Sequence, residues 1–272
     1  MKKDSIVKFA VLLMLLSAFS GLKAQSTASD TLAWGMIYKE FGVSGTFVLY
    51  NVKSEEYTIL NQSRANVPYL PASTFKIMNA LIGLQEKAVN GKDEIFKWDG
   101  TKRSVEAWNH DLTLEEAFRV SAIWVYQELA RRSGREAIEN WLTKCRYGNM
   151  KTGPQIDNFW LEGEIAISAM EQVEFLKKLY LKELPFDKAI QLQVKKMMLV
   201  DSVPGSRFYA KTGWASRIAR QIGWFIGFIE TAENTWIFAM NMDMINPKDP
   251  QARTQITRRI LSQGDIYPEQ EK

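Results

Sequence analysis

The sequence predicts a mixed α/β fold of the α+β type, an antiparallel β-sheet flanked by helices with an adjoining all-helical subdomain. Three observations predict it. Strand-like runs cluster toward the two ends of the chain, helix-like periodicity fills the middle, and a last amphipathic run closes the sequence. The helical stretch covers approximately residues 85–200 and interrupts the sheet.

The first sheet signals are Val43 to Val52 (VSGTFVLYNV) and Tyr57 to Leu60 (YTIL), rich in β-branched and aromatic residues. Polar Lys53-Ser54-Glu55-Glu56 between them reads as the turn of an antiparallel hairpin. PASTFKIMNA, residues 71–80, reads as a helix beginning near Ser73, whose apolar residues Phe75, Ile77, Met78 and Ala80 lead into a buried segment. In the middle region, Thr113-Leu-Glu-Glu116 is a capping box ahead of Ala117 and Phe118. Ser168-Ala-Met-Glu171 is a second one, ahead of Val173, Leu176, Leu179 and Tyr180 at helical spacing. The sheet resumes with SRFYAKTGWA (206–215), IGWFIGFIE (222–230) and TWIFAMNMDM (235–244), whose short polar links favour an antiparallel meander. Asp249-Pro250 supplies the cap and first turn of a terminal helix carrying Ile256, Ile260 and Leu261. No internal repeat or low-complexity linker divides residues 25–272, which are therefore expected to form one domain.

Residues 1–24 differ in kind. A basic start at Met1-Lys2-Lys3, the apolar run Phe9 to Leu16 and the small residues that follow are the pattern of a secretory signal peptide, cleaved after Ala24 or, less favourably, after Ser20. The apolar run falls well short of the roughly 20 residues that span a bilayer. The expectation is a periplasmic protein with no stable membrane insertion after signal cleavage. Cleavage would also change the charge: the formal +4 of the whole chain falls to 31 basic against 30 acidic residues. So small an excess argues against a nucleic-acid partner. One cysteine, Cys145, excludes an intrachain disulfide, and one histidine, His110, leaves no zinc-type cluster and no cofactor motif. No GxSxG elbow accompanies His110, so a Ser-His-Asp arrangement is disfavoured.

The chemistry concentrates in Ser73 and Lys76. A serine hydroxyl needs a base within hydrogen-bond reach, and three residues along a helix place the lysine on the same face. Burial would lower the lysine's pKa and favour a neutral amine, which can act as a base or add carbon dioxide to give an anionic carbamate. Taken alone, the pair also fits a helix cap at Ser73 with Lys76 snorkelling to solvent. Lys211-Thr212-Gly213 within a strand-like run adds a cation, a hydroxyl and a glycine that permits close backbone approach, a set suited to an anionic ligand. Ser121-Ala-Ile123 precedes the aromatic Trp124 and Tyr126.

With these motifs in this order, the sequence resembles the class D, oxacillinase-type serine β-lactamases among the penicillin-recognising serine enzymes. Ser73-Thr-Phe-Lys76 is similar to the family's STxK motif, Ser121-Ala-Ile123 to SxV, Tyr147-Gly-Asn149 to YGN and Lys211-Thr-Gly213 to KTG. Asp157-Asn-Phe-Trp160-Leu161 resembles its tryptophan-bearing segment, and Gln221-Ile-Gly-Trp224 the strand after KTG. The resemblance runs from about Gly42 to the C-terminal helix.

It implies hydrolysis of the β-lactam amide bond through an acyl-enzyme on Ser73, with N-carboxylated Lys76 (N6-carboxylysine) as base in both steps. Ser121 would relay a proton to the β-lactam nitrogen, and Trp160 would hydrogen-bond the carbamate beside Phe75, Ile123 and Leu161. The backbone amides of Ser73 and Trp214 would form the oxyanion hole, where losing one donor costs roughly 3 kcal/mol in acyl transfer. Lys211, Thr212, Gly213 and Arg253 would bind the substrate carboxylate, Arg253 through its guanidinium fork. No cofactor beyond carbon dioxide or bicarbonate is implied, and β-lactam antibiotics are the expected partners, with a homodimer left open.

Ile123 departs from the family's usual valine and bears on rate and spectrum. The short link Trp214 to Gln221 with Arg217, together with FKWDG (96–100) and MNMDM (240–244), resembles the oxacillinases that also hydrolyse carbapenems, so carbapenems join penicillins as expected substrates. Two alternatives stay open on these residues: a penicillin-binding transpeptidase or D,D-carboxypeptidase, and a β-lactam sensor domain that holds the drug without destroying it.

Overall fold

Strands whose side chains alternate between two apolar faces organise the molecule. The computed structural model describes residues 28–245 and 249–268, so the expected signal peptide and its cleavage site lie outside the described residues. Helix α1 (Ala28–Glu40) precedes strands β1 (Gly45–Asn51) and β2 (Glu56–Leu60), and a short α2 (Gln62–Ala65) leads toward a 3-10 turn, Ala72–Phe75. The turn runs directly into α3 (Lys76–Gln85). A small ribbon of β3 (Ile95–Phe96) and β4 (Leu112–Thr113) follows. Then come α4 (Leu114–Arg119), α5 (Ile123–Ser133), α6 (Arg135–Cys145), α7 (Phe159–Glu162), α8 (Ala169–Leu181) and α9 (Lys188–Met197). The chain returns to the sheet through β5 (Leu199–Val203), β6 (Ser206–Ala215), β7 (Ile222–Thr231) and β8 (Thr235–Asp243), and ends in α10 (Asp249–Gln263).

The six-stranded sheet has the order β2-β1-β8-β7-β6-β5, and all its pairings are antiparallel. The mixed α/β class expected from the sequence is the observed one. Residues of alternate parity feed two cores, as the two-residue repeat of a strand requires. Phe47, Phe225, Phe238 and Met240 pack with Trp34 of α1 and Ile256 and Ile260 of α10. On the opposite face, Val48, Trp224, Ile226, Ile237 and Ala239 join the larger core built from α3 and the helices that follow it. Sandwiched this way, the first eight residues of β7 are all buried, which is why that run reads as nearly continuous hydrophobicity.

Three features differ from the sequence-based expectation. The helix expected near Ser73 is a tight 3-10 turn through Phe75, and regular α-helix starts only at Lys76. Helix α1 carries no clear stripe: Trp34, Ile37 and Tyr38 are buried while Leu32 and Met36 face solvent. Such a segment has no strong helical period to read. Edge strand β5 is short and mostly exposed, so it too lacks an alternating signal. Both predicted capping boxes are formed, with Thr113 accepting from the Glu116 amide and Ser168 from the Glu171 amide. No helix among the described residues is long and apolar enough to cross a membrane.

Candidate active site

The 3-10 turn brings Ser73 to the seam between the sheet and the helices. Ala72, just before it, has φ +49°, a left-handed conformation that an L side chain seldom adopts unless its surroundings impose it. Lys76 opens α3 one turn later, and its Nζ is hydrogen-bonded to Ser73 Oγ at 2.8 Å. Nothing caps the turn or α3 through Ser73, and Lys76 is wholly buried, so neither the cap nor the snorkelling alternative describes this pair.

Among the described residues Lys76 has no carboxylate partner. Its amine lies 5.3 Å from the centre of the Tyr126 ring, in the apolar enclosure formed where α5 packs on α3. Burial holds its pKa well below the usual lysine range, and the nearby Lys211 pushes in the same direction. A neutral amine beside a serine hydroxyl is the arrangement a general base needs.

Ser121 occupies the junction between α4 and α5 with φ +57°, a second left-handed residue at the site. The carbonyl of its neighbour Val120 accepts a hydrogen bond from Trp108 Nε1 at 2.9 Å. Lys211, reaching from the middle of β6, donates to Ser121 Oγ. Burial, reinforced by Arg253, pushes Lys211 down to about 7. Arg253 on α10 donates through Nη1 to the Gly213 carbonyl and through Nε to Pro250 O at 3.0 Å. Burial lowers that guanidinium to about 10. Lys211 and Arg253 thus share one seam with the neutral Lys76, and among the described residues none of the three has a carboxylate as hydrogen-bond partner, an arrangement that favours an anion.

Gly213 earns its place by proximity. A Cβ at this position would lie 2.8 Å from Pro71 O and 3.0 Å from Thr74 Cγ2, so the glycine lets β6 press against the turn that carries Ser73. Thr212 is partly exposed and, with Lys211, Phe118 and Thr254, lines a cleft of about 330 Å³. Trp214 is 41% exposed, its indole Nε1 donating to Gln221 Oε1 at 2.9 Å.

Trp160 on α7 is fully buried. Its ring stacks on Phe75 at 5.4 Å with 21° between planes, and its indole Nε1 has no hydrogen-bond partner among the described residues. An orphaned N–H in such a place is costly, by about 1–3 kcal/mol. Leu161 is buried and Ile123 partly so. Arg217 is differently placed: its guanidinium pairs with Glu162 Oε1 at 3.2 Å and reaches Asn158 Oδ1 at 3.4 Å, tying the β6–β7 link to α7. His110 is exposed, and its Nδ1 lies 2.7 Å from the Asp111 carbonyl. Tyr126 and Phe118, whose rings flank Lys76 and Lys211, carry no local sequence signal, because aromatic residues at helical spacing read simply as core.

Comparison with known proteins shows the family. Residues 45–262 match the model of the penicillin binding protein transpeptidase domain. The probable β-lactamase YbxI of Bacillus subtilis (strain 168) is 45% identical over 200 residues, 73% of this chain and 74% of that protein. β-Lactamase OXA-5 of Pseudomonas aeruginosa is 38% identical over 256 residues, 93% of this chain and 96% of that protein. Among solved structures, FUS-1 (OXA-85), a class D β-lactamase from Fusobacterium nucleatum subsp. polymorphum, superposes with a TM-score of 0.84 at 39% identity, over 86% of this chain and 98% of that one.

Proposed function

The chain belongs to the class D β-lactamases within the penicillin-binding transpeptidase-domain family, and from that premise we propose a serine acyl-enzyme route with Lys76 as the base. The observation that carries the proposal is the 2.8 Å contact between Ser73 Oγ and a wholly buried Lys76.

In the first step Ser73 Oγ bonds to the β-lactam carbonyl carbon, and its proton passes to Lys76. The backbone N–H groups of Ser73 and Trp214 hold the oxygen that becomes negative. Ser121, hydrogen-bonded to Lys211, delivers a proton to the ring nitrogen as the C–N bond breaks and is reprotonated by the proton that Lys76 took from Ser73, so the base is free again in the acyl-enzyme. Lys211, Thr212 and Arg253 receive the substrate carboxylate, with the backbone of Gly213 between them. In the second step water attacks the ester, Ser73 regains its proton, and the opened acid departs.

Turnover needs a base that survives acylation. The site's residues fit a carbamate on Lys76: the amine is neutralised by burial, no carboxylate partners it, and the unpartnered indole N–H of Trp160 lies in the same apolar cluster. When present, that group would supply an anionic oxygen able to activate water; forming it adds one carbon dioxide to the neutral amine and releases one proton, and it is not spent in turnover. Phe75, Leu161 and Ile123 would keep bulk water from it.

Penicillins are the proposed first substrates. Carbapenems are included on the short β6–β7 link and the tie from Arg217 to α7. The leader-like N-terminal pattern supports a periplasmic location, where the enzyme would meet the drug. The test is a steady-state panel of benzylpenicillin, nitrocefin and imipenem with and without bicarbonate. Many turnovers per enzyme, raised by bicarbonate after acidic preparation, are expected. A single equivalent of nitrocefin consumed would return the chain to covalent binding without hydrolysis, and an imipenem rate equal to buffer would remove carbapenems alone.

A further inference from the structure

Building on the acyl-transfer reading above, we propose that Thr74 and Gln172 are positioning residues, clamping the turn that carries Ser73 to helix α8 and so fixing the direction of its Oγ and backbone N–H. Neither residue touches the open cleft. Thr74 is 1% exposed and Gln172 wholly buried.

The turn lacks ordinary support. No side chain caps it, and it contains the left-handed Ala72. Thr74 Oγ1 donates its only proton to Pro71 O at 2.8 Å, closing the turn on itself. The hydroxyl can then only accept, and Gln172 Nε2 donates to it at 3.0 Å. That sequence of donors sets the orientation of the Gln172 amide.

Gln172 stands on a rigid base. It lies one residue beyond the Ser168–Glu171 capping box, in the first turn of α8, which packs against β8 and β1. The buried Tyr147 hydroxyl faces the same two side chains without completing a hydrogen bond of good geometry, and the Tyr147 ring meets Phe75 edge-on at 5.7 Å. On the other side, the backbone at Gly213 presses on Pro71 and Thr74. Pro71–Thr74 is therefore held between β6, the source of the Trp214 amide, and α8. The two oxyanion donors sit on elements that meet through this clamp.

Gln172 Oε1 is buried with no hydrogen-bond partner among the described residues, so Nε2 alone makes the clamp, and a glutamine that served only packing would affect folding and nothing more. A positioning role has a different signature, because acylation and deacylation pass through tetrahedral species at the same oxyanion site. The experiment is stopped-flow nitrocefin hydrolysis by Thr74→Val, Thr74→Ser and Gln172→Met, with the burst amplitude counting competent sites. Per competent site, acylation and deacylation rate constants are expected to fall together by about tenfold or more in Thr74→Val and Gln172→Met, since small misplacements of reacting groups have effects of that order. Thr74→Ser, which keeps the hydroxyl, should stay within about threefold. The bicarbonate concentration giving half-maximal activity should not move in any of them. Wild-type rate constants per competent site in Gln172→Met and in whatever Thr74→Val folds, with only melting temperature lowered, would overturn the positioning role. Equal losses in Thr74→Ser and Thr74→Val would do the same. If the wild-type enzyme never acylates, the functional reading itself fails, which is a separate result.

Discussion

Lys76 shows how far a single side chain can be read before its surroundings are known. A lysine in an apolar run signals an anomaly, yet only the structure shows that it is fully buried, lacks a carboxylate partner among the described residues and sits against Tyr126. Trp160 offers the sharpest check on the carbamate. Trp160→Phe keeps the stacking on Phe75 but removes the orphaned N–H, and a hydrogen bond to an anion contributes about 1.5–3 kcal/mol. The bicarbonate concentration for half-maximal turnover should therefore rise by about ten- to a hundredfold, with acylation little changed. An unaltered bicarbonate dependence would dissociate Trp160 from the carbamate. Lys211 makes a second prediction. Pushed down to about 7, it loses its charge as pH rises through that value, so single-turnover acylation by a penicillin carboxylate should be level below about pH 7 and decline above it. Bicarbonate should move this limb upward, because an anion on Lys76 favours the charged form of Lys211. The test compares acylation pH profiles in bicarbonate-free and bicarbonate-saturated buffer.

At the scale of elements, the site depends on three pieces meeting: the 3-10 turn, the α4–α5 junction and β6. The last is read well from sequence, since SRFYAKTGWA matches β6 from end to end. What its glycine does is another matter. Gly213 lies in a strand with no positive φ, and its requirement arises wholly from the neighbouring turn. Gly213→Ala would force a Cβ to 2.8 Å from Pro71 O. Overpacking of this kind destabilises by about 1–3 kcal/mol, and kcat/KM for nitrocefin should drop by roughly tenfold or more as β6 and the turn separate. Calorimetry and steady-state kinetics on the one variant check both halves. The capping boxes at Thr113 and Ser168 are local in origin, because both partners lie within four residues, and their legibility follows from that.

For the whole molecule, an antiparallel sheet with a core on each face leaves the seam above β6 as the place where Lys76, Lys211 and Arg253 gather with no carboxylate among their hydrogen-bond partners in the described residues. That arrangement has a linkage consequence. Lys76 and Lys211 have folded pKa values below their ordinary 10.5, so the unfolded chain binds more protons across the interval between. Their contribution to stability is therefore smallest below about pH 7 and grows as pH rises through the folded pKa of Lys211. In bicarbonate-free buffer the melting temperature should climb from pH 7 to about pH 9, and Lys76→Met should flatten that slope. A wild-type melting temperature that falls over this range would contradict the assignment of two buried, uncharged lysines.

The sequence by itself determined the fold class, the long strands, both capping boxes and the motif residues from Ser73 to Lys211, since these rest on short-range periodicity and on residue types in a fixed order. Tertiary structure alone decided that Lys76 is buried, that Trp160 Nε1 lacks a partner, and that Arg217 is engaged by α7. It also decided that Gln172, 98 positions beyond Thr74, supports the serine's turn. The reason is distance along the chain: burial and hydrogen-bond partnership are properties of residues brought together from far apart, and no local pattern encodes the neighbour.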